Sequence, residues 1–219
     1  MKPFDAVIFD CDGVLVDSEP ITNRLIRDDL ATRGLDLELS QIHSLFVGGT
    51  IAGVKAQATE MGAVMPETWV EDTYDAMYRA LAAEVTLIPG VIAVLDALDE
   101  AGIPYAVGSN GPHAKMAVTL ERTGLAARFE GRIISREDVA HPKPAPDVYL
   151  KAAEILGADP ARCAVIEDSA TGLRAGQAAG MRCFGFAADS DPAKLAPHAA
   201  AVFEDMVQLP GLLGLGENA

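Results

Sequence analysis

The sequence predicts an α/β fold: a Rossmann-like parallel sheet with helices on both faces, and a small all-α cap domain inserted after the first strand. Three observations carry this reading. From residue 91 onward, short apolar runs alternate with amphipathic helical stretches, the pattern of βαβ units. The first apolar run is followed instead by residues 18–85, which hold helical patterns and no convincing strand. The strand-like runs of the remaining chain end in polar residues of ligand-binding type. The expected division is a Rossmann-like core of 1–17 and 86–219 and a cap of 18–85.

Taken in order, Ala6-Val7-Ile8-Phe9 reads as a strand buried on both faces, ending abruptly in Asp10-Cys11-Asp12-Gly13. Ser18 is the expected N-cap of a helix carrying Ile21, Leu25, Ile26 and Leu30, stopped by Gly34. Ser40 opens a shorter helix ended by Gly48-Gly49. Thr50 caps another, ending near Gly62, and Pro66 starts a longer helix through Trp69, Tyr74, Met77 and Leu81. Beyond Pro89-Gly90 the expected order is helix 91–101, strand 105–108, helix 113–122, strand 132–134, helix 146–156, strand 163–166, helix 171–179 and strand 182–186. A weak last strand is expected at 201–203 and a loosely ordered tail at 212–219. Alternation of this kind folds into right-handed parallel units.

With 219 residues, half of them hydrophobic, the chain can build a sizeable core. Asp and Glu number 32 against 17 Lys and Arg, for a formal net charge of -15. A generally basic surface is absent, so neither nucleic acid nor an anionic membrane is an expected partner. An anionic substrate would need a local cation to overcome that field. The three cysteines, Cys11, Cys163 and Cys183, have no paired or zinc-type spacing and are expected as buried free thiols. That fits a reducing, cytoplasmic setting. The first strand follows almost at once on Met1 and no run is long enough to span a membrane, so neither a signal peptide nor a membrane span is expected.

In an open parallel sheet, ligands bind beyond the carboxyl ends of the strands. After the first strand come Asp10 and Asp12, after the second Ser109 and Asn110, past a loop from the third Lys143, and after the fourth Glu167, Asp168 and Ser169. Four carboxylates on one rim repel one another unless a cation joins them. Carboxylates without His or Cys select a hard divalent ion, for which Mg²⁺ is the usual choice. Such an ion beside a lysine and a hydroxyl makes a phosphate site, since phosphoryl transfer needs charge neutralisation and in-line positioning. A carboxylate can itself be the nucleophile, and a second one can protonate the leaving oxygen and later activate water.

These residues resemble known motifs. Asp10-Cys11-Asp12-Gly13-Val14-Leu15-Val16-Asp17-Ser18-Glu19 closely resembles the first motif, DxDGxxxDSE, of the haloacid-dehalogenase-like superfamily. Gly108-Ser109-Asn110 is similar to its second motif, Lys143-Pro144-Ala145-Pro146-Asp147 to its third, and 165–172 to its fourth. With a helical insertion straight after the first motif, the layout resembles the β-phosphoglucomutase/phosphoglycolate-phosphatase branch. The resemblance implies Asp10 as nucleophile and Asp12 as general acid/base, its backbone carbonyl also reaching Mg²⁺. Asp168 and Glu167 would join Asp10 and Asp12 in holding the metal. Ser109 and the Asn110 backbone N–H would bind the phosphoryl oxygens, Lys143 would neutralise the nucleophile and phosphoryl charge, and Gly13 would let the chain turn beside the phosphate. Asp17 is expected to brace the junction into the insertion, His113 and His141 to lie on the surface, and Trp69 to pack inside the cap.

The expected activity is hydrolysis of a small phosphorylated metabolite, a sugar phosphate or phosphoglycolate-like ester, by a monomer or weak dimer. Dehalogenases resemble this fold but lack the acid that stands here at Asp12. The nearer rival is a β-phosphoglucomutase-type mutase, which typically has a histidine where Thr22 stands and an arginine in the segment reading Gly48-Gly49-Thr50-Ile51. The cations nearby in sequence, Arg24, Lys55 and Arg79, are not at those positions. A phospho-acceptor receiver module is the more distant alternative; it would carry no insertion after its first strand.

Overall fold

The computed structural model describes residues 2–46 and 50–215. The chain forms two compact units, one of Met1–Asp17 with Leu87–Ala219 and one of Ser18–Thr86.

The first unit begins with β1 (Ala6–Phe9), all four residues buried, and continues to the short β2 (Val16–Asp17). The second unit holds α1 (Glu19–Thr32), α2 (Leu39–Phe46), α3 (Ile51–Glu60) and α4 (Trp69–Glu84). The chain then passes through β3 (Thr86–Leu87), which with β2 makes a separate two-stranded sheet. The rest runs α5 (Val91–Glu100), β4 (Tyr105–Ser109), α6 (His113–Arg122), β5 (Ile133–Ser135), α7 (Asp147–Leu156), β6 (Cys163–Glu167), α8 (Ala170–Ala178), β7 (Arg182–Phe186), α9 (Pro192–Leu195), β8 (Ala201–Phe203) and α10 (Leu209–Leu212).

The main sheet has the order β5-β4-β1-β6-β7-β8 and every pairing is parallel. This is the Rossmann-like α/β fold that the alternating pattern predicts. Alternate residues face opposite sides of the sheet. Ala6, Ile8, Ala106, Ile134 and Val165 share one core with Val148, Tyr149 and Ala152 of α7 and Leu173 and Ala175 of α8. On strands β1 and β4, Phe9 and Tyr105 stack edge to face, and Tyr105 stacks in turn on Phe129. Each large aromatic side chain buried in this way contributes on the order of 2–3 kcal/mol. All three cysteines are free and buried.

Several boundaries differ from the sequence pattern for local reasons. Strands β4 and β6 each run one residue further than expected, to Ser109 and Glu167, because register partners Ser135 and Gly185 continue the ladder. Ser18 makes no side-chain cap to α1; its own backbone is already helical and its side chain is buried. Ser40 lies inside α2 rather than at its start, and α4 begins at Trp69, with Pro66 in the turn before it. Thr50 does cap α3, its hydroxyl accepting from Gly53 N at 3.1 Å. The expected helix stop at Gly48-Gly49 lies outside the described residues. The tail packs further than expected: α10 is followed by Leu213, which is buried. Residues 216–219 also lie outside the described residues.

The helical unit has its own core of Ile26, Leu30, Leu37, Ile42, Ile51, Val54, Ala58, Ala63 and Trp69. Trp69 is buried, and its indole N–H donates to Asp29 Oδ2 at 2.6 Å. Arg33, one turn along α1, donates to both oxygens of the same carboxylate at 2.7 and 2.8 Å. A buried indole keeps its hydrogen bond at little cost only if the acceptor is fixed, and the bidentate guanidinium fixes it.

Burial alone would raise the Asp29 carboxyl; Arg33 and the Trp69 N–H outweigh it and hold it below the ordinary value. A carboxyl lowered by folding contributes stability above its unfolded pKa of about 3.9 and loses it as pH falls through the folded value. Asp29→Asn should therefore be less stable than wild type at neutral pH, with the difference shrinking below about pH 4. Urea unfolding followed by fluorescence of the single tryptophan measures this. A difference that stays constant across the acid range would show that the charge of Asp29 is not what matters.

Candidate active site

The register of the sheet brings the polar strand ends together. Phe9 pairs with Ile166, which sets Asp10 beside Glu167, and Asp10 N donates to Ile166 O at 2.9 Å. Ser109 ends the strand on the other side of β1. The loop after β1 closes on itself: Gly13 N donates to Val16 O at 2.9 Å and Leu15 N to Cys11 O at 3.0 Å. Gly13 has φ of 73°, a conformation open to glycine. A Cβ there would lie 2.2 Å from Asp168 Oδ2, so this glycine also lets the Asp168 carboxylate lie against the loop.

Lys143 occupies the centre. Its side chain is 3% exposed, and Nζ lies 2.6 Å from both Asp10 Oδ1 and Glu167 Oε1. Glu167 Oε1 also accepts from the Tyr149 hydroxyl at 2.9 Å, and Oε2 accepts from Ser169 N and Oγ, each at 2.9 Å. The ammonium lies 4.6 Å from the Tyr149 ring centroid. The Asn110 side chain clasps the Lys143 backbone, accepting from its N–H at 2.9 Å and donating to its carbonyl at 3.2 Å. A Cβ at Gly172 would fall 1.6 Å from Glu167 Oε1, so α8 can approach this carboxylate only with glycine at that position.

The charges divide unequally. Burial pushes the Asp10 carboxyl up to about 7, with Lys143 opposing and Glu167 and Asp12 adding to the rise. Burial also acts to raise Glu167, but Lys143 and the Ser169 donors leave it below the ordinary value. Burial disfavours the Lys143 ammonium, yet its two carboxylates outweigh that and raise its pKa. Lys143 therefore stays charged, Glu167 is its fixed counter-ion, and Asp10 is the less committed partner.

Asp12 stands apart from this triad. Its Oδ1 is 2.8 Å from Lys115 Nζ, on the first turn of α6. Ser109 is buried, and its Oγ accepts from Gly111 N at 3.0 Å, while Ser135 Oγ donates to Gly111 O at 2.7 Å. The loop that follows β4 is thus held from both sides. Asp168 is part-buried next to the Gly13 loop. Asp17, at the junction into the helical unit, is raised by burial and by nearby Asp189. His113 and His141 are exposed and pair with Asp138 and Asp147.

The donor set suits a hard cation, since Asp10, Asp12 and Asp168 offer only oxygen. Among the described residues, however, no three acidic, histidine or cysteine side chains are gathered closely enough to form a ready-made metal site. Lys143 and Lys115 instead balance the charge of Asp10 and Asp12.

Asp10, Asp12, Ser109, Asn110, Lys143, Glu167 and Asp168, the residues expected beyond the strand ends, lie on one rim, with Gly13 in the loop that carries Asp12. Sequence reasoning missed Lys115 and Tyr149. Both stand in the first turn of a helix that follows a rim loop, where side chains lean back toward the helix N-terminus. A polar residue there was the available signal.

The chain is similar to known proteins along most of its length. Residues 4–180 match the family model for haloacid dehalogenase-like hydrolases. The 6-phosphogluconate phosphatase of Escherichia coli K12 is 30% identical over 214 residues, covering 97% of this chain and 96% of that protein. Hexitol phosphatase A of the same organism is 33% identical over 192 residues, covering 86% of this chain and 85% of that one. A crystal structure of a HAD family hydrolase from Deinococcus radiodurans R1, with bound phosphate and sodium, superposes with a TM-score of 0.85 at 37% identity and covers 100% of both chains. With its motifs at the strand ends and its family model matched across most of its length, the chain belongs to the haloacid dehalogenase-like hydrolases.

Proposed function

We propose that this protein is a Mg²⁺-dependent phosphatase that hydrolyses a small phosphorylated metabolite through an aspartyl-phosphate intermediate. The observation that carries the reading is the buried Asp10 carboxylate held 2.6 Å from the Lys143 ammonium, on the loop that also bears Asp12. The names of its relatives, 6-phosphogluconate phosphatase and hexitol phosphatase, favour a sugar-derived phosphomonoester over a phosphoglycolate-like one. The helical unit is the part to which we assign choice of leaving group. The buried free thiols fit a cytoplasmic enzyme, working as a monomer or weak dimer.

In this mechanism a carboxylate oxygen of Asp10 attacks phosphorus, and the bond from phosphorus to the ester oxygen breaks. Asp12 gives its proton to the departing oxygen. Ser109 and the Asn110 backbone N–H hold the phosphoryl oxygens, and Lys143 offsets the charge on Asp10 and the phosphoryl group. Asp12 then takes a proton from water as the water attacks the aspartyl-phosphate, releasing phosphate and restoring Asp10. Asp10, Asp168 and the Asp12 carbonyl would hold Mg²⁺, which would supply charge neutralisation to the phosphoryl group. Glu167, placed with the metal acids by its motif, contributes by orienting Lys143, since its oxygens are engaged by Lys143, Tyr149 and Ser169.

A mutase reading requires cap-side cations for a second phosphate. Thr22 bonds Ser18 O within its own helix, Lys55 Nζ donates to Glu67 O at 2.8 Å, and Arg24 is paired with Glu84. These contacts favour hydrolysis over transfer.

Three measurements test the proposal. Turnover of phosphomonoesters should require Mg²⁺ and stop in EDTA, and Ca²⁺, with its larger and looser shell, should inhibit; full activity in EDTA would remove the metal from the mechanism. Asp10→Asn should abolish both turnover and phosphoenzyme formation, whereas Asp12→Asn should slow release of alkyl leaving groups by roughly 10²–10⁴-fold and spare activated aryl esters in the first step. Near-normal activity of Asp10→Asn would refute covalent catalysis. With β-glucose 1-phosphate and glucose 1,6-bisphosphate, a coupled glucose-6-phosphate dehydrogenase assay should stay silent while inorganic phosphate is released from sugar phosphates. Strong NADPH formation with little phosphate release would make the protein a mutase.

A further inference from the structure

Lys115 is the charged group of this rim to which the mechanism above gives no task. Its surroundings are unfavourable for a lysine in every local respect. It sits in the first turn of α6, where the helix dipole disfavours a cation. No acidic residue stands three or four positions away on its own helix, since those positions are Gly111, Pro112, Val118 and Thr119. Its side chain is only 15% exposed, so it gives up most of its hydration. The 2.8 Å ion pair with Asp12 Oδ1, itself 23% exposed, offsets these costs. Residues that break local rules in favour of one distant partner mark functional positions.

The same face of α6 rests on the first loop. Thr119, four residues on from Lys115, packs its hydroxyl 4.0 Å from Cys11 Sγ. The other Asp12 oxygen faces the loop after β4: a Cβ on Gly111 would lie 3.7 Å from Asp12 Oδ2 and 3.4 Å from Ser109 Oγ. One oxygen of Asp12 is therefore held by Lys115 while the second lies beside Gly111, in the loop that follows Ser109.

We infer that Lys115 is a positioning residue: through its ion pair it holds the Asp12 carboxyl in the orientation from which Oδ2 exchanges a proton with the leaving group. This rests on the phosphatase reading for its chemistry, but the orientation itself is independent of any activity. Removing the ammonium frees Asp12 to rotate about its own side-chain bonds, and misplacement of a proton donor by about 1 Å can cost on the order of 100-fold.

The experiment compares wild type, Lys115→Met and Lys115→Arg in two measurements. The first is single-turnover release of leaving groups from a series running from aryl to alkyl phosphates. Lys115→Met should lose roughly 10- to 100-fold on alkyl esters and far less on activated aryl esters, with KM little changed, and Lys115→Arg should recover most of the loss. An equal loss on every ester, a rise in KM alone, or no loss would overturn the inference. The second is a crystal structure of Lys115→Met, in which Asp12 Oδ2 should leave its place near Gly111. An unmoved Asp12 carboxyl would overturn the inference whether or not the wild type hydrolyses phosphomonoesters. Absence of phosphatase activity in wild type would refute the proposed function instead.

Discussion

The site depends on the ion pairs of one buried lysine. Lys143 lies between Asp10 and Glu167 with almost no exposure, and taking three such groups out of water costs several kcal/mol for each ion. The arrangement persists because the polar atoms around it are engaged: Tyr149 and Ser169 complete the Glu167 carboxylate, and Asn110 fixes the Lys143 backbone. Loss of one partner would strand the others in a medium that cannot solvate them. Such a triad is weak evidence for stability; under the proposed function, its value is to place the nucleophilic carboxylate beside a fixed positive charge. Because Glu167 holds its charge while Asp10 is raised by burial, the two acids are distinguished by environment alone.

The sheet explains why this triad forms where it does. Asp10 and Glu167 are neighbours because β1 and β6 are adjacent and in register. Ser109 reaches the rim from β4 on the other side. Lys143 comes from a long excursion after β5, and the side-chain amide of Asn110 brings it home. The second unit has a separate core and its own part-buried Asp29–Arg33–Trp69 network.

The sheet, most helices and the rim residues were legible because they rest on strong signals: buried apolar runs, helical periodicity and polar residues at strand ends. What was missed rests on weaker ones. Ser18 resembles an N-cap in sequence, yet its buried side chain and helical backbone deny it that task. Ser40 likewise stands one residue inside α2. Leu213 reads as tail, but it becomes core once α10 forms. Lys115 looks like one more lysine on a helix surface, and only the packing of α6 against the Asp12 loop reveals its partner. Tyr149 reads as an ordinary core aromatic, since its hydroxyl gains meaning only from Glu167, 18 residues away.

Gly172 carries a consequence for anyone redesigning this chain. Glycine within a helix usually invites replacement by alanine, a change worth roughly 0.5–1 kcal/mol of added helix stability. Here the methyl group would occupy the volume of the Glu167 carboxylate, so a substitution chosen for thermal robustness would pry apart the ion cluster at the heart of the enzyme. Helix propensity and the packing around Glu167 make opposite demands on this residue, and stabilising libraries drawn from helix rules alone should leave it untouched.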